Sequence, residues 1–316
     1  MSQLTQEAVA DDLPVADGSA PLATAFGEVR AIDRVRAFYE LTKPNLSGLV
    51  VVTGVLGLAL ASPEMDWSRL LHLVIGLWCT AGGAGALNMV IERDLDRMMR
   101  RTRGRPLPSG RVSPAEALVF SSVLFAFGFA ELALFTSLTT ALLALATLVL
   151  YGFVYTPLKR RGALAVWIGA IPGAIPPVMG WAAYDGRIAA PALVLFGLLF
   201  LWQFPHFLAL AWIYREDYLR AGFDFLPRDD HRGERTARSM IAGAALLIPV
   251  TLLLQPLGAA GWLYSIGALS AGVWFLSRTL RTPRQLSTEA RSVFFASIIY
   301  LPVLLAFIVV DRLLIG

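Results

Sequence analysis

The chain has one cysteine, three histidines and little charge: Asp, Glu, Lys and Arg make up 16% of its 316 residues. A lone thiol, Cys79, inside an apolar run excludes a disulfide framework and a thiolate metal centre; it reads as a small buried apolar residue. No Lys or Arg precedes Arg30, a segment that holds Glu7, Asp11, Asp12, Asp17 and Glu28 and lacks an apolar core. This is neither the pattern of a secretory signal nor that of an Arg-rich, acid-poor presequence. Residues 1–29 are expected to be a disordered acidic tail on a bacterial chain, ahead of a single transmembrane domain over 30–316. What fills the chain instead is apolar: 56% of residues are hydrophobic and the mean hydropathy is positive, outside the range of soluble domains.

Long apolar runs, broken by charged or Pro- and Gly-rich stretches, predict an all-α bundle of nine transmembrane helices. They fall near 42–61, 70–92, 115–134, 138–156, 163–184, 190–213, 238–255, 259–278 and 291–311. Small-residue runs such as "AGGAGA" (81–86) and "GAIPGAIPP" (169–177) predict close helix crossings and a local helix break inside protein. Of the 27 Lys and Arg, only Arg69, Arg187 and Arg312 fall outside the N-terminal segment and the even loops. The positive-inside rule therefore puts the N-terminus in the cytoplasm and the C-terminus outside, in a bacterial inner membrane. Cations confined to loops at a lipid bilayer imply no nucleic-acid partner.

One stretch resists that account. "NMVIERDLDRMMRRTRGRPLPSG", Asn88 to Gly110, mixes three acids with its arginines directly after an apolar run. A solvated Arg-rich loop explains any one arginine but not the acids. Asn88, Glu92 and Asp96 are four apart, so on a helix they form one stripe, turning about 40° per step. Two carboxylates and an amide oxygen form a ligand set suited to Mg²⁺, a hard cation that keeps waters and bridges to phosphates. Asp94 falls on the far side, within reach of Arg93 or Arg97. The competing reading is a solvated helix end with weak surface ion pairs. A second stretch, "WQFPHFLALAWIYREDYLRAGFDFLP" from Trp202, repeats the arrangement, running into Glu216 and Asp217 on the same side of the membrane. The two are expected to face each other as half-sites. His206 sits within this apolar helix beside Pro205, where an ionisable group is a functional candidate by default. His72 and His231 read as structural or solvated.

These residues resemble the UbiA superfamily of intramembrane prenyltransferases, whose first motif is an Asn, three residues, an Asp, three residues and a second Asp. Within it, "RDLDRMMRRTRGRPLPSG", "YTPLKRRG", "GAIPPVMGW" and "PHFLALAWIYREDYLRAG" look like the heme O synthase branch, over about residues 40–230. The chain departs from the pattern in three places. Glu92 stands for the first Asp, Asn45 for an arginine after "LTKP", and Gly162 to Ala165 for a Thr-Pro-x-Asn segment.

The resemblance implies transfer of farnesyl from farnesyl diphosphate to a vinyl group of heme B, with water adding to the neighbouring carbon. It implies Asn88, Glu92, Asp96 and Asp217 as Mg²⁺ ligands, and Lys43, Arg103, Arg105, Lys159 and Arg160 on phosphate oxygens. Tyr151, Tyr155, Trp202, Phe204, Phe207 and Tyr218 are candidates for facing the allylic cation, each alternatively ordinary packing. His206 would ligate heme iron, accept a proton from the attacking water, or only hydrogen-bond within the bundle. The product would pass to a downstream heme-modifying enzyme or a terminal oxidase. A prenyltransferase for an aromatic acid or quinone precursor is the alternative. A transporter or assembly factor without chemistry fits less well, because charge here lies in loops and not at the midplane.

Overall fold

The computed structural model describes residues 31–159, 162, 164–223, 225–227, 229–283 and 285–315. The tail expected over 1–29 lies outside the described residues, as does Arg160. All described regular structure is helical: α1 (Ala31–Leu41), α2 (Pro44–Ala61), α3 (Trp67–Met98), α4 (Pro114–Phe135), α5 (Leu138–Leu148), α6 (Thr156–Leu158), α7 (Leu164–Ala174), α8 (Pro176–Asp185), α9 (Ala190–Ile213), α10 (Arg215–Arg220), α11 (Glu234–Leu252), α12 (Trp262–Thr279) and α13 (Leu286–Ile315). A π-helical stretch, Val149–Tyr155, joins α5 to α6. Helices satisfy every backbone group within one segment, which lipid demands. Several starts are written locally: Asp66 caps α3, Ser137 caps α5, and Ser113 with Glu116 forms a capping box on α4.

Among the described residues, seven helical columns are long and apolar enough to cross a membrane: α2, α3, α4, α5 through α6, α7 through α8, α9 and α13. The chain is a multi-pass membrane protein. The seventh and eighth spans predicted from sequence are α11 and α12, which fall short of that measure. Arg235 and Arg238 occupy the opening turns of α11, while Ser, Gly and Arg278 dilute α12. Both nevertheless pack into the bundle, α11 against α9 and α12, and α12 against α13. Gly261 and Tyr264, at the start of α12, donate backbone N–H groups to Asp311 near the C-terminal end of α13. Gly233, just before α11, lies against Leu286 at the opposite end. Since α11 and α12 come as a pair, the sidedness of α13 is the same whether or not they are counted.

The bundle has three apolar clusters, the smallest joining Leu41, Met89, Leu107 and Val112 near the N-terminal end. A second gathers Leu58, Leu73, Leu77, Leu132 and Met179 from α2, α3, α4 and α8; the third joins α7, α9, α11, α12 and α13 around Leu195, Leu198, Met240, Phe275 and Tyr300. Outward faces stay apolar, as on α4, where Val119, Val123, Phe127 and Leu134 are exposed to what would be lipid. The small-residue runs work as expected. The Gly83 carbonyl accepts from Ser121 Oγ of α4 at 2.8 Å, and the prolines of "GAIPGAIPP" break the column at Ile175, between α7 and α8.

Candidate functional site

At 32 residues, α3 is about 48 Å long, whereas a hydrocarbon core is about 30 Å thick, so its C-terminal turns reach past the apolar layer. There Asn88, Glu92 and Asp96 lie on one buried face, as their spacing predicts. Asp94 points the other way, exposed, 3.3 Å from Arg93 and 3.9 Å from Arg97. The three stripe residues line a cavity of about 850 Å³ walled by α2, α3, α5 with its π-helical stretch, α7, α8 and α9.

Each stripe residue holds one cation. Lys43 Nζ donates to Asn88 Oδ1 at 2.5 Å and to the Tyr151 hydroxyl at 3.3 Å. Lys159 Nζ donates to Glu92 Oε1 at 2.5 Å, and Arg105 Nη1 to Asp96 Oδ2 at 2.8 Å. Lys43 and Lys159 are the only lysines in the chain. Lys43 is also the one non-glycine residue at positive φ among the described residues, at φ 49°. That left-handed turn between α1 and α2 carries strain of order 1–3 kcal/mol and carries the chain into the turn that places Lys43 at the cavity. Gly85 leaves room for its stem: a Cβ there would sit 3.4 Å from the Lys43 side chain.

The π-helical stretch has a local cause. Pro157 has no N–H, so the carbonyl four residues earlier loses its donor and the turn widens. Tyr151 and Tyr155 then stack at 5.8 Å along the cavity wall, and Lys159 Nζ lies 4.7 Å from the Tyr155 ring centroid. Thr156 Oγ1 donates to the Tyr151 carbonyl at 2.9 Å and accepts from Asn88 Nδ2 at 3.1 Å, which fixes the amide with its oxygen toward Lys43.

Burial, then the field of Arg105, pulls the Lys43 ammonium down to about 7. Burial acts the same way on Lys159, but the charge and hydrogen bond of Glu92 outweigh it and raise the group. This pair gives a test. Lys159→Met is expected to destabilise the protein by about 3 kcal/mol, because it strands the Glu92 carboxylate. Adding Glu92→Met should recover most of that stability without recovering activity. Thermal unfolding of the three variants checks it, and a double variant no more stable than Lys159→Met would contradict it.

Not every expected residue reaches the cavity. Helix α9 ends at Ile213 because Tyr214 leaves helical geometry, at φ −104° and ψ 23°, and α10 starts in a new phase. Tyr218 turns to the cavity, while Asp217 pairs with its own Arg220 and is not part of the wall. The half-site expected of Asp217 is therefore filled by a phenol. Arg103 is exposed and outside the wall; Arg101 stands in its place, donating to the Tyr218 hydroxyl at 3.2 Å with its guanidinium 5.0 Å from the Tyr214 ring. Phe204 is buried in the apolar core, with its ring 4.3 Å from that of the exposed Trp167. Trp202, His206 and Phe207 do line the cavity, joined by Phe223 and Phe225. Of the departures from the family pattern, Asn45 borders the cavity and Ala165 is in the apolar core. His72 pairs with Glu131 at the far end of the bundle at 2.7 Å, and His231 is exposed.

Among the described residues no three His, Cys, Asp or Glu side chains converge on one ion-sized point. The α3 stripe still fits Mg²⁺, which keeps several waters and takes few protein ligands. Asp96 Oδ1 is buried without any hydrogen-bond partner, an arrangement that is costly unless a cation or donor completes it. Arg101, Thr102, Thr156 and Ser297 escaped the sequence reading. Thr102 braces the Asp96 carbonyl oxygen at 2.8 Å. Thr156, inside "YTPLK", was the one with a visible signal.

A helical bundle with a charged cavity mouth and an apolar, aromatic interior defines a membrane enzyme that handles an amphiphilic anion. The UbiA prenyltransferase family model matches residues 50–299, and the chain belongs to that family. It is 43% identical over 289 residues to the protoheme IX farnesyltransferase of Solibacter usitatus, covering 88% of this chain and 99% of that protein. The protoheme IX farnesyltransferase of Anaeromyxobacter sp. is 45% identical over 287 residues, covering 90% and 96%. In structure, the chain resembles a digeranylgeranylglyceryl phosphate synthase with a TM-score of 0.75 at 18% identity, covering 89% of this chain and 99% of that one. A UbiA homologue from Archaeoglobus fulgidus bound to GPP and Mg²⁺ matches with a TM-score of 0.62 at 16% identity, over 86% and 99%.

Proposed function

We propose that the chain transfers a farnesyl group from farnesyl diphosphate to a vinyl group of heme B, with water adding to the neighbouring carbon, and so makes heme O. The observation that carries this reading is the ladder of Asn88, Glu92 and Asp96 facing Lys43, Lys159 and Arg105 at the mouth of an apolar cavity. Its support in kind is the extent of the match to farnesyltransferases named for protoheme IX.

The physical problem is charge. Breaking the allylic C–O bond leaves a carbocation and a diphosphate with added negative charge, and both must be stabilised before they recombine. Asn88, Glu92 and Asp96 would hold Mg²⁺, which when bound neutralises the leaving diphosphate. Lys43, Lys159, Arg101 and Arg105 surround the same point. An arriving diphosphate takes the ammonium groups from Asn88 and Glu92, freeing those oxygens for a metal. The Tyr151 and Tyr155 faces, next to the α3 stripe, suit the allylic cation because a ring quadrupole attracts it without bonding to it. Trp202, His206, Phe207 and Tyr218 border the space left for a flat apolar acceptor. The vinyl terminus then bonds to farnesyl C1, and water adds to the resulting cation, its proton passing to diphosphate. With almost all basic residues on the cavity side, the mouth faces the cytoplasm and the C-terminus lies outside an inner membrane.

Purified protein given heme B, farnesyl diphosphate and Mg²⁺ should yield a porphyrin heavier by one farnesyl group and one water, seen by mass spectrometry. Excess chelator should abolish that product and added Mg²⁺ restore it. Undiminished product under chelation would remove the metal from the mechanism, and absence of any product would remove the function.

A further inference from the structure

The wall of the cavity holds an imidazole bonded to a residue far along the chain. Ser297, in α13 and fully buried, makes three bonds at once. Its hydroxyl donates to the Phe294 carbonyl at 2.6 Å and lies 2.7 Å from His206 Nδ1, and its own carbonyl accepts from Trp202 Nε1 at 2.9 Å. A serine hydroxyl has one proton. With that proton on Phe294, the contact to His206 requires Nδ1 to be the donor, so Nε2 carries the lone pair. Among the described residues no group bonds to His206 Nε2, and His206 is part of the cavity wall. The ring is held between Trp202, at 4.7 Å and 18°, and Phe294, at 5.0 Å and 29°. The imidazole is thus held in plane between Trp202 of α9 and Phe294 of α13 and tied to α13 through Nδ1, on the wall of the cavity.

Resting on the heme-acceptor reading, we propose that His206 Nε2 is an axial ligand to the iron of the porphyrin substrate, and that Ser297 is the positioning residue that holds the ligating tautomer. The second-neighbour arrangement is the one metal-bound histidines use: one ring nitrogen free to coordinate, the other donating to a fixed acceptor. Iron coordination would fix the porphyrin's distance from α9, leaving a vinyl edge to turn toward the α3 stripe. Stacking by Trp202 and Phe294 removes the ring rotation that would otherwise be lost on binding.

The test is a titration of the purified full-length protein with ferric heme B, followed by absorption and electron paramagnetic resonance, with product formation measured in parallel. Wild type should show an imidazole-ligated spectrum. His206→Gly should lose it and regain it with added imidazole. Ser297→Ala should bind heme about 10-fold more weakly, with a mixed or non-imidazole spectrum, while its thermal stability stays near wild type; Ser297→Thr should restore both affinity and spectrum. An unchanged spectrum in His206→Gly overturns the ligand assignment, and wild-type affinity and spectrum in Ser297→Ala overturn the positioning role. If wild type shows the imidazole spectrum but makes no farnesylated product, the catalytic reading fails and the site stands. If it makes product while no variant alters the spectrum, the site fails and the catalytic reading stands.

Discussion

Asp96→Ala is expected to lower farnesyl transfer on the order of 10³-fold, or about 4 kcal/mol in the barrier. Asp96 is 1% exposed, its Oδ2 accepts from Arg105, and its Oδ1 has no partner at all. An oxygen in that state contributes little to folding and is free for a cation that arrives with substrate. Removing the side chain leaves Arg105, which is 30% exposed and keeps access to water, so little destabilisation should follow. Asp96→Asn preserves shape but not charge, and should lose nearly as much activity. Initial rates from mass-spectrometric product analysis decide the matter, with unfolding temperatures as the control. Either variant retaining more than a tenth of wild-type turnover would mean that this carboxylate does not serve the leaving group.

Gly180→Val should be the most damaging single change to the fold, by about 3 kcal/mol or more. Helices α2 and α8 cross with their backbones in contact. A Cβ on Gly180 would sit 1.7 Å from the Gly54 carbonyl oxygen, and one on Gly57 would sit 2.0 Å from that of Pro177. These are backbone atoms, so no rotamer change relieves the clash; the helices must separate. Small residues permit such crossings in membranes, where packing rather than water exclusion holds helices together. Both helices also wall the cavity through Val50, Thr53, Pro176 and Met179, so separation would open it and lower activity as well. Gly104→Ala is the matched control, since nothing lies within 4 Å of its Cβ position. Thermal unfolding in detergent and the yield of monodisperse protein measure the effect. A Gly180→Val protein with wild-type stability would show that the crossing is loose.

Within a helix, spacing was a sound guide. Steps of four placed Asn88, Glu92 and Asp96 on one face and Asp94 on the other, and the prolines marked the break at Ile175. Where a helix stopped, spacing failed. Asp217 reads as the counterpart of Asp96 if α9 is carried through it, but the interruption at Tyr214 resets the phase and turns Tyr218 to the cavity in its place. Arg101 and Arg103 lie in a tight loop with no periodicity, and only its fold decides which of them faces inward.

The sequence by itself determined the membrane as solvent, the helical class and the shared face of Asn88, Glu92 and Asp96 on α3, because composition and periodicity act locally along the chain. Tertiary structure alone decided that Lys43 meets Asn88, that Lys159 meets Glu92 and that Ser297 meets His206, across separations of 45, 67 and 91 residues. Those pairings depend on which helix faces meet. Close packing of glycines and broken turns at prolines set that choice, and neither leaves a period in the sequence to read.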